Sequence, residues 1–411
     1  MTARLEWGRL TGADDEARQR SAALSDPGAY HGAIAACELH WYDESSAAWL
    51  NRDPAAACWQ GLNAATGALV DAPAREPQWM PWKQALDDRD APFYRWFVGA
   101  RTNACFNEVD RHVLDGRGSH EAFRFESDRW DPSRNDGRGG PVAESTISYR
   151  RLLLETVIRA EVLSSLGLRR GDRIAFNLPN IPEQLYYTEA AKRLGIIYTP
   201  VFGGFSAKTL SDRIFDAGAK VVVTADGGYR NAEIVAYKEA YTDPALDNFV
   251  PLSTALAALA EVLAELDLGA LATRLHAAVA SGLAGEITIE RSDVMRELGH
   301  ALAAETGLSP ERMALIRTTV ARRLADTGHA VQTVLVVRYT GQDVVEQPRD
   351  QWSNALVTAA TGRVLERARA TGFQVSDLDG LLALSDHDLW RALNASHPAL
   401  PVPADWPLFV I

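Results

Sequence analysis

The stretch IIYTPVFGGFSAKTLSDRIFDAGAKVVVTADGGYRNAE, residues 196–233, decides the fold. It opens on an apolar run, IIYTPVF (196–202), whose β-branched and aromatic residues suit a strand. Gly203-Gly204 turns the chain, Ser206 is placed to cap the helix AKTLSDRIFDAG, and KVVVTA (220–225) reads as the next strand. Working outward, RIAFNL (173–178) is a further short strand, punctuated by Pro179 and Pro182 and followed by a helix from Glu183 to Leu194 that Gly195 closes. Before it, Ser148 can cap a helix through YRRLLLETVIRAEVLSSLG, with Gly167 to end it. Strand, helix, strand, helix, strand at this spacing predicts parallel βαβ units.

The turn between the second strand and its helix is the chemically suggestive point. With no Cβ at Gly203 or Gly204, backbone can lie close to a ligand. The helix that follows begins with unpaired N–H groups. Phe202 or Phe205 can supply a flat apolar wall, and Arg230, after the third strand, carries the forked donor set that suits a phosphate. Other markers do not occur. A GxGxxG fingerprint, a GxxxxGK[ST] phosphate loop, HExxH and GxSxG are all lacking from the sequence. A nucleotide-binding oxidoreductase therefore loses its usual mark, and no metal-ligand set is predicted.

Farther out the pattern changes. Residues 121–127 (EAFRFES) and 143–149 (AESTISY) alternate with period two around a loop dense in Asp, Pro, Asn and Gly, which predicts a hairpin with a long exposed connection. Residues 1–94 hold Trp7, Trp41, Trp49, Trp59, Trp79 and Trp82, with Trp96 just beyond, and prolines at 54, 73, 77, 81 and 92. That leader is expected to form short helices joined by irregular chain, unable to build a large core by itself, lying over its neighbour. Residues 251–329 read as almost pure helix, with a second helix from about Ser292 and a third opening at Ser309-Pro310-Glu311. This is a helical module set between two strands. The α/β pattern resumes at VQTVLVVRY (331–339), a second helical insertion covers 353–397, and PLFVI (407–411) reads as a strand. The expected division is thus 1–94, 95–250, 251–329, 330–352 with 398–411, and 353–397.

Composition sets outer limits. The 411 residues are 47% hydrophobic and 23% charged, with a formal net charge of −12, which argues against a general nucleic-acid surface. Cys37, Cys58 and Cys105 are far apart and lack a CxxC pair, so neither a disulfide framework nor a zinc site is expected. A charged N-terminus and no long uncharged apolar run predict neither a signal peptide nor a membrane span. A reduced, cytoplasmic setting fits best.

The stretch 196–233 also carries a likeness. It resembles the AMP-forming acyl-CoA synthetases of the acetyl- and propionyl-CoA synthetase type, as do, in order, RWFVGARTNACFNEVDRHV (95–113), TISYRRL (146–152), GDRIAFNLPNIPEQ (171–184), VLVVRYTGQDV (334–344), RDQW (349–352) and DWPLFVI (405–411). The resemblance implies the parallel-sheet N-terminal subdomain of the adenylate-forming fold, with a Trp-rich leader and an inserted helical bundle. It implies that Phe202, Gly203 and Gly204 line the nucleotide part of coenzyme A and that Arg230 meets its 3′-phosphate. Where the family often has a second arginine, this chain has Glu233, whose charge would repel a phosphate. In the family the ATP phosphate loop follows the strand that matches PLFVI. The chain is therefore expected to be an N-terminal fragment with no catalytic residue of its own, inactive alone, its full-length parent using ATP and Mg²⁺. The leader and helical insertion look like the ligase part of propionyl-CoA synthases, fusion enzymes that turn 3-hydroxypropionate into propionyl-CoA. That likeness implies the rest of the ligase and fused hydratase and reductase domains as partners, with a small carboxylate as substrate. The alternative is a non-catalytic docking module inside a multienzyme.

Overall fold

A computed structural model gives the fold and describes residues 12–53, 58–70, 79–231, 233–271, 273, 288–304, 307–326 and 331–406. The expected strand PLFVI lies outside the described residues, as does Trp7.

Five parallel strands form the central sheet: β1 Arg173–Asn177, β2 Ile197–Pro200, β3 Val221–Ala225, β4 Thr333–Val337 and β5 Asp350–Trp352, in the order β2-β1-β3-β4-β5. The mixed α/β class with a parallel sheet is as expected from the sequence. β3 (VVVTA) and β4 (TVLVV) are buried at every position, because helices cover both faces of the sheet and leave no side for alternation to expose. The helix before β1 runs Tyr149–Ser165. The Ser148 hydroxyl accepts from Arg151 N at 3.3 Å, and Gly167 follows its end with φ +80°. Pro182–Leu194 closes on left-handed Gly195, and Ala207–Ala217 is capped by Ser206 and closed by Gly218. The hairpin also forms, Glu121–Glu126 pairing antiparallel with Glu144–Ser148.

Order 2-1-3 means that the chain leaves β1 toward one side for β2 and then crosses back to the other side for β3. Connections diverge there, and open α/β sheets take ligands in the crevice beyond the carboxyl ends of such neighbouring strands. A short polar chain sits under this point: Asn177 Nδ2 donates to Thr242 Oγ1 at 3.0 Å, which donates to Thr224 Oγ1 at 2.9 Å.

The leader differs from the expectation. Two helices, Ala13–Ser25 and Pro27–Glu38, precede a four-stranded antiparallel sheet of Trp41–Asp43, Ala48–Asp53, Cys58–Asn63 and Leu69–Val70. A small core, built on Ala36, Trp41, Leu50 and Trp59, lies on one face of that sheet. The reason is the period of a strand. On Ala48–Asp53, Leu50 points into that small core, while Trp49 points the other way and stacks on Phe106, ring centroids 4.4 Å apart, inside the main core. One strand thus serves two cores.

Segment 353–397 packs into the main core. Its helices Ser353–Ala370 and Asp386–Asn394 bring Ala360, Val364, Leu389, Trp390 and Leu393 into the main core. Of 398–411, the described part does not rejoin the parallel sheet: Val402–Pro403 pairs antiparallel with Arg101–Thr102. The first helical module does have a core of its own, from helices Leu252–Glu265, Arg291–Ala303 and Pro310–Asp326. It is joined through an antiparallel pair, Phe249–Pro251 with Thr288–Glu290. Among the described residues no helix is long and apolar enough to cross a membrane.

Where leader meets core, His40 is buried and its Nδ1 has no hydrogen-bond partner among the described residues. Burial, helped by the Arg111 charge, lowers its pKa from 6.5 to about 4. The neutral ring is native, so its contribution is complete above pH 6.5. The contribution declines as pH falls toward 4, where the unfolded chain takes up the proton and the folded one does not. We expect thermal stability to fall over that window and His40→Gln to remove part of the slope, on the order of 3 kcal/mol. Parallel melting curves for the two proteins from pH 7 to pH 4 would contradict this.

Candidate functional site

A cleft of about 740 Å³ opens at the carboxyl end of the sheet, at the β1/β3 divergence. Three loops build its floor and walls: Leu178 to Ile181 after β1, Pro200 to Gly204 after β2, and Tyr229, Arg230 and Tyr237 after β3. Tyr339, after β4, adds a wall. From the other side come Glu126, Ser127, Asp128 and Trp130, at the end of the hairpin strand and in the loop beyond it.

The structure brings Phe202, Gly203, Gly204 and Arg230 together on this cleft. Phe202 is 64% exposed and presents its ring to the opening. Phe205 stands edge-on to Phe202 with centroids 6.0 Å apart, outside the lining, and carries the Arg213 guanidinium over its own ring. Phe202 is therefore the wall and Phe205 its support.

The two glycines have different reasons. A Cβ on Gly203 would fall 2.1 Å from Tyr237 Oη, so this glycine makes room for a tyrosine of the same chain. The bare backbone read from the sequence as room for a ligand is, at Gly203, already filled. Gly204 stays exposed, and a Cβ there would lie 2.7 Å from Phe202 Cε1 and 3.3 Å from Arg230 Nη1. The Arg230 guanidinium thus reaches back over the Gly-Gly turn.

Arg230 sits at the tip of a small hairpin, Gly228–Arg230 with Glu233–Val235, directly opposite Glu233 in register. The two do not form an ion pair, and among the described residues no carboxylate holds Arg230. Its donors are available to the cleft. The opposite rim is acidic. Burial raises the pKa of the Tyr237 hydroxyl, with Arg230 acting to lower it and Asp128 to raise it. Burial likewise raises Tyr339, and Asp128 adds to that shift. The cleft therefore has a cationic edge, a carboxylate edge, and aromatic rings between them.

Asp226 holds this arrangement from below. It is fully buried at the end of β3, and its carboxylate accepts from four backbone N–H groups. Oδ1 takes Gly227 at 2.7 Å, Tyr339 at 2.8 Å and Thr340 at 3.0 Å, and Oδ2 takes Gly341 at 2.7 Å. The loop that carries Tyr339 is fixed to β3 by one side chain. On the far side of the same loop Lys238, fully buried, donates to Asp243, to Val345 O at 2.9 Å, and pairs with Asp350 at 2.8 Å.

Residues 132–298 match the AMP-binding enzyme family. Residues 72–107 match a second model, the acetyl-coenzyme A synthetase N-terminus. The parallel α/β architecture is consistent with the N-terminal subdomain of AMP-binding, adenylate-forming enzymes. The stretch of the AMP-binding match contains β1 to β3 and every cleft residue except Glu126, Ser127, Asp128, Trp130 and Tyr339. Acetyl-coenzyme A synthetase of Mycolicibacterium smegmatis is 40% identical over 182 residues, which is 44% of this chain and 18% of that protein. The acetyl-coenzyme A synthetase of Wolinella succinogenes is 39% identical over 175 residues, 42% of this chain and 25% of the relative. A 3-hydroxypropionyl-coenzyme A synthetase of Sulfurisphaera tokodaii is 38% identical over 159 residues, 39% of this chain and 22% of the relative. The alignments span about a quarter or less of the length of these relatives.

Sequence reasoning missed Trp130, Asp128, Tyr237 and Tyr339. Tyr229, between Gly228 and Arg230, was inside the quoted stretch. The others come from loops whose meeting nothing in the local pattern announces.

Proposed function

We propose that the cleft holds the nucleotide end of coenzyme A, in a protein that is, as a whole, an AMP-forming acyl-CoA ligase. The reaction would join a carboxylate to coenzyme A while ATP becomes AMP and pyrophosphate, with Mg²⁺ on the phosphates. The carrying observation is the convergence of Phe202, Gly204 and an unpaired Arg230 on one cleft at the β1/β3 divergence. In that reading Phe202 faces the base, the backbone at Gly204 lies against the ribose phosphate, and Arg230 donates to the 3′-phosphate. Gly203 acts by seating Tyr237. Glu233 stands opposite Arg230 in register without pairing with it, which leaves the arginine competent for an anion.

A short carboxylate is the proposed substrate, 3-hydroxypropionate or acetate being the nearest in kind to what the relatives' names give. A propionyl-CoA synthase setting, with fused hydratase and reductase domains as partners, remains part of this proposal through the Trp-rich leader and the helical module. Pyrophosphate release by the whole protein with acetate, propionate and 3-hydroxypropionate in turn would rank the carboxylates.

The cleft itself is tested by binding. Calorimetric titration should show coenzyme A bound at least about tenfold more tightly than 3′-dephospho-coenzyme A, the scale of one charge-assisted contact. Arg230→Ala should bring the two ligands together. Equal affinity of the unaltered protein for both would remove the reading.

A further inference from the structure

The loop joining the two hairpin strands carries no role in the reading above, yet it forms one whole side of the cleft. Trp130 is 55% exposed on it and lines the opening. It is also held in place. Its backbone pairs with Pro141 across a short antiparallel bridge, and its indole packs against Gly139, where a Cβ would come 2.3 Å from Nε1. Gly139 has φ +80°, a conformation that favours glycine, so the seat and the backbone shape both ask for the same residue. An exposed large aromatic ring with a fixed orientation, facing a cleft, is built to be covered by something flat.

Two further contacts tie this loop to the rest of the cleft. The Arg129 guanidinium stands 5.9 Å from the centre of the Tyr229 ring, and Tyr229 meets Tyr339 edge-on at 5.8 Å. The loop is thereby joined to the Arg230 hairpin across the mouth of the cleft. Next to Trp130, the exposed Asp128 lines the same wall, and among the described residues no cation pairs with it. A carboxylate has acceptors only, so what it meets must bring a donor.

We propose that Trp130 and Asp128 form the base-recognition wall of the cleft, Trp130 stacking on a purine ring and Asp128 accepting a hydrogen bond from its exocyclic amine. The assignment rests on the coenzyme A reading of the cleft and adds to Phe202 a second face for the base and a polar contact that reads its identity. It makes the site selective for a 6-aminopurine. Hypoxanthine would turn a carbonyl lone pair toward the Asp128 carboxylate and be refused. The opposed charges then have a division of labour: Arg230 takes the phosphate and Asp128 takes the base, which fixes the direction in which the nucleotide lies.

The test uses adenosine 3′,5′-bisphosphate, inosine 3′,5′-bisphosphate and coenzyme A, titrated against the full chain. Trp130→Ala should weaken the adenosine ligand about tenfold or more, the scale of one base stacked on an aromatic side chain. Trp130→Phe should recover most of that loss, with melting temperature unchanged in both. Asp128→Asn should narrow the preference for adenosine over inosine to near unity. Binding by Trp130→Ala within twofold of the unaltered protein overturns the assignment, and so does an undiminished adenosine preference in Asp128→Asn. If Arg230→Ala abolishes the phosphate preference while Trp130→Ala changes nothing, this wall fails and the coenzyme A reading stands. If the unaltered protein binds none of the three ligands, both fall together.

Discussion

Asp110→Ala should destabilise the protein by about 3–5 kcal/mol, the largest effect expected of any single substitution outside the cleft. Asp110 and Arg193 are both fully buried, and Arg193 Nη1 donates to Asp110 Oδ2 at 2.6 Å. Trp390 Nε1 donates to the other oxygen at 2.8 Å, and Arg193 Nε donates to the backbone oxygen of His397 at 2.5 Å. Burial opposes the guanidinium charge, and Asp110 outweighs it, so the Arg193 pKa is raised rather than lowered. Three separate stretches meet here: the 95–113 motif, the helix Pro182–Leu194, and the helix Asp386–Asn394. Nearby, Asn103 Nδ2 bonds the backbone oxygens of Lys192, Arg193 and Leu400, while its Oδ1 receives Phe106 N. Removing the carboxylate leaves a charge in the core with no counter-charge. Urea denaturation followed by far-ultraviolet circular dichroism gives the number. A loss below about 1 kcal/mol would mean that the pair is not the clasp described.

Asp226→Ala should loosen the cleft more than the fold. Four backbone N–H groups lose their acceptor at once, three of them in the loop that presents Tyr339. A hydrogen bond to a charged group is worth about 1.5–3 kcal/mol and the four are not additive. A fall of at least about 100-fold in hydrogen-exchange protection at Tyr339, Thr340 and Gly341 is the expected signature. Coenzyme A binding should weaken with it, because one wall is no longer fixed. Asp226→Asn should be intermediate: its carbonyl oxygen can replace one carboxylate oxygen, but its NH₂ would face an N–H donor. Unchanged exchange at these three amides in Asp226→Ala would show that something else holds the loop.

Much of the fold was legible because its determinants are local. Gly167, Gly195 and Gly218 each stand just past a helix, and Ser148 and Ser206 each cap one, as their positions predict. β3 and β4 are apolar but for one threonine each, a pattern that suits a strand covered on both faces. The leader's sheet is less legible for a related reason. Its prolines read as helix breakers, while Trp41, Trp49 and Trp59 belong to a sheet whose two faces enter two different cores, a pairing that the local pattern does not announce. That segment 353–397 packs into the main core was not legible, because a helix pattern states its apolar face without stating what that face meets.

Within the cleft the division is similar. Phe202, Gly203, Gly204 and Arg230 lie in one short stretch, so their proximity follows from a strand, a turn and a hairpin. That Gly203 serves Tyr237 rather than a ligand, and that Arg230 stays unpaired opposite Glu233, depend on side-chain directions.

Residue order alone settled the parallel βαβ succession, the helix ends and the Gly-Gly turn, since each is governed by neighbours within a few positions. Only the folded chain brought Trp130, Asp128, Tyr237 and Tyr339 to one opening and closed Asp110 on Arg193. Those meetings join residues far apart in the chain, and burial energy in the whole core, rather than any local preference, decides which of them occur.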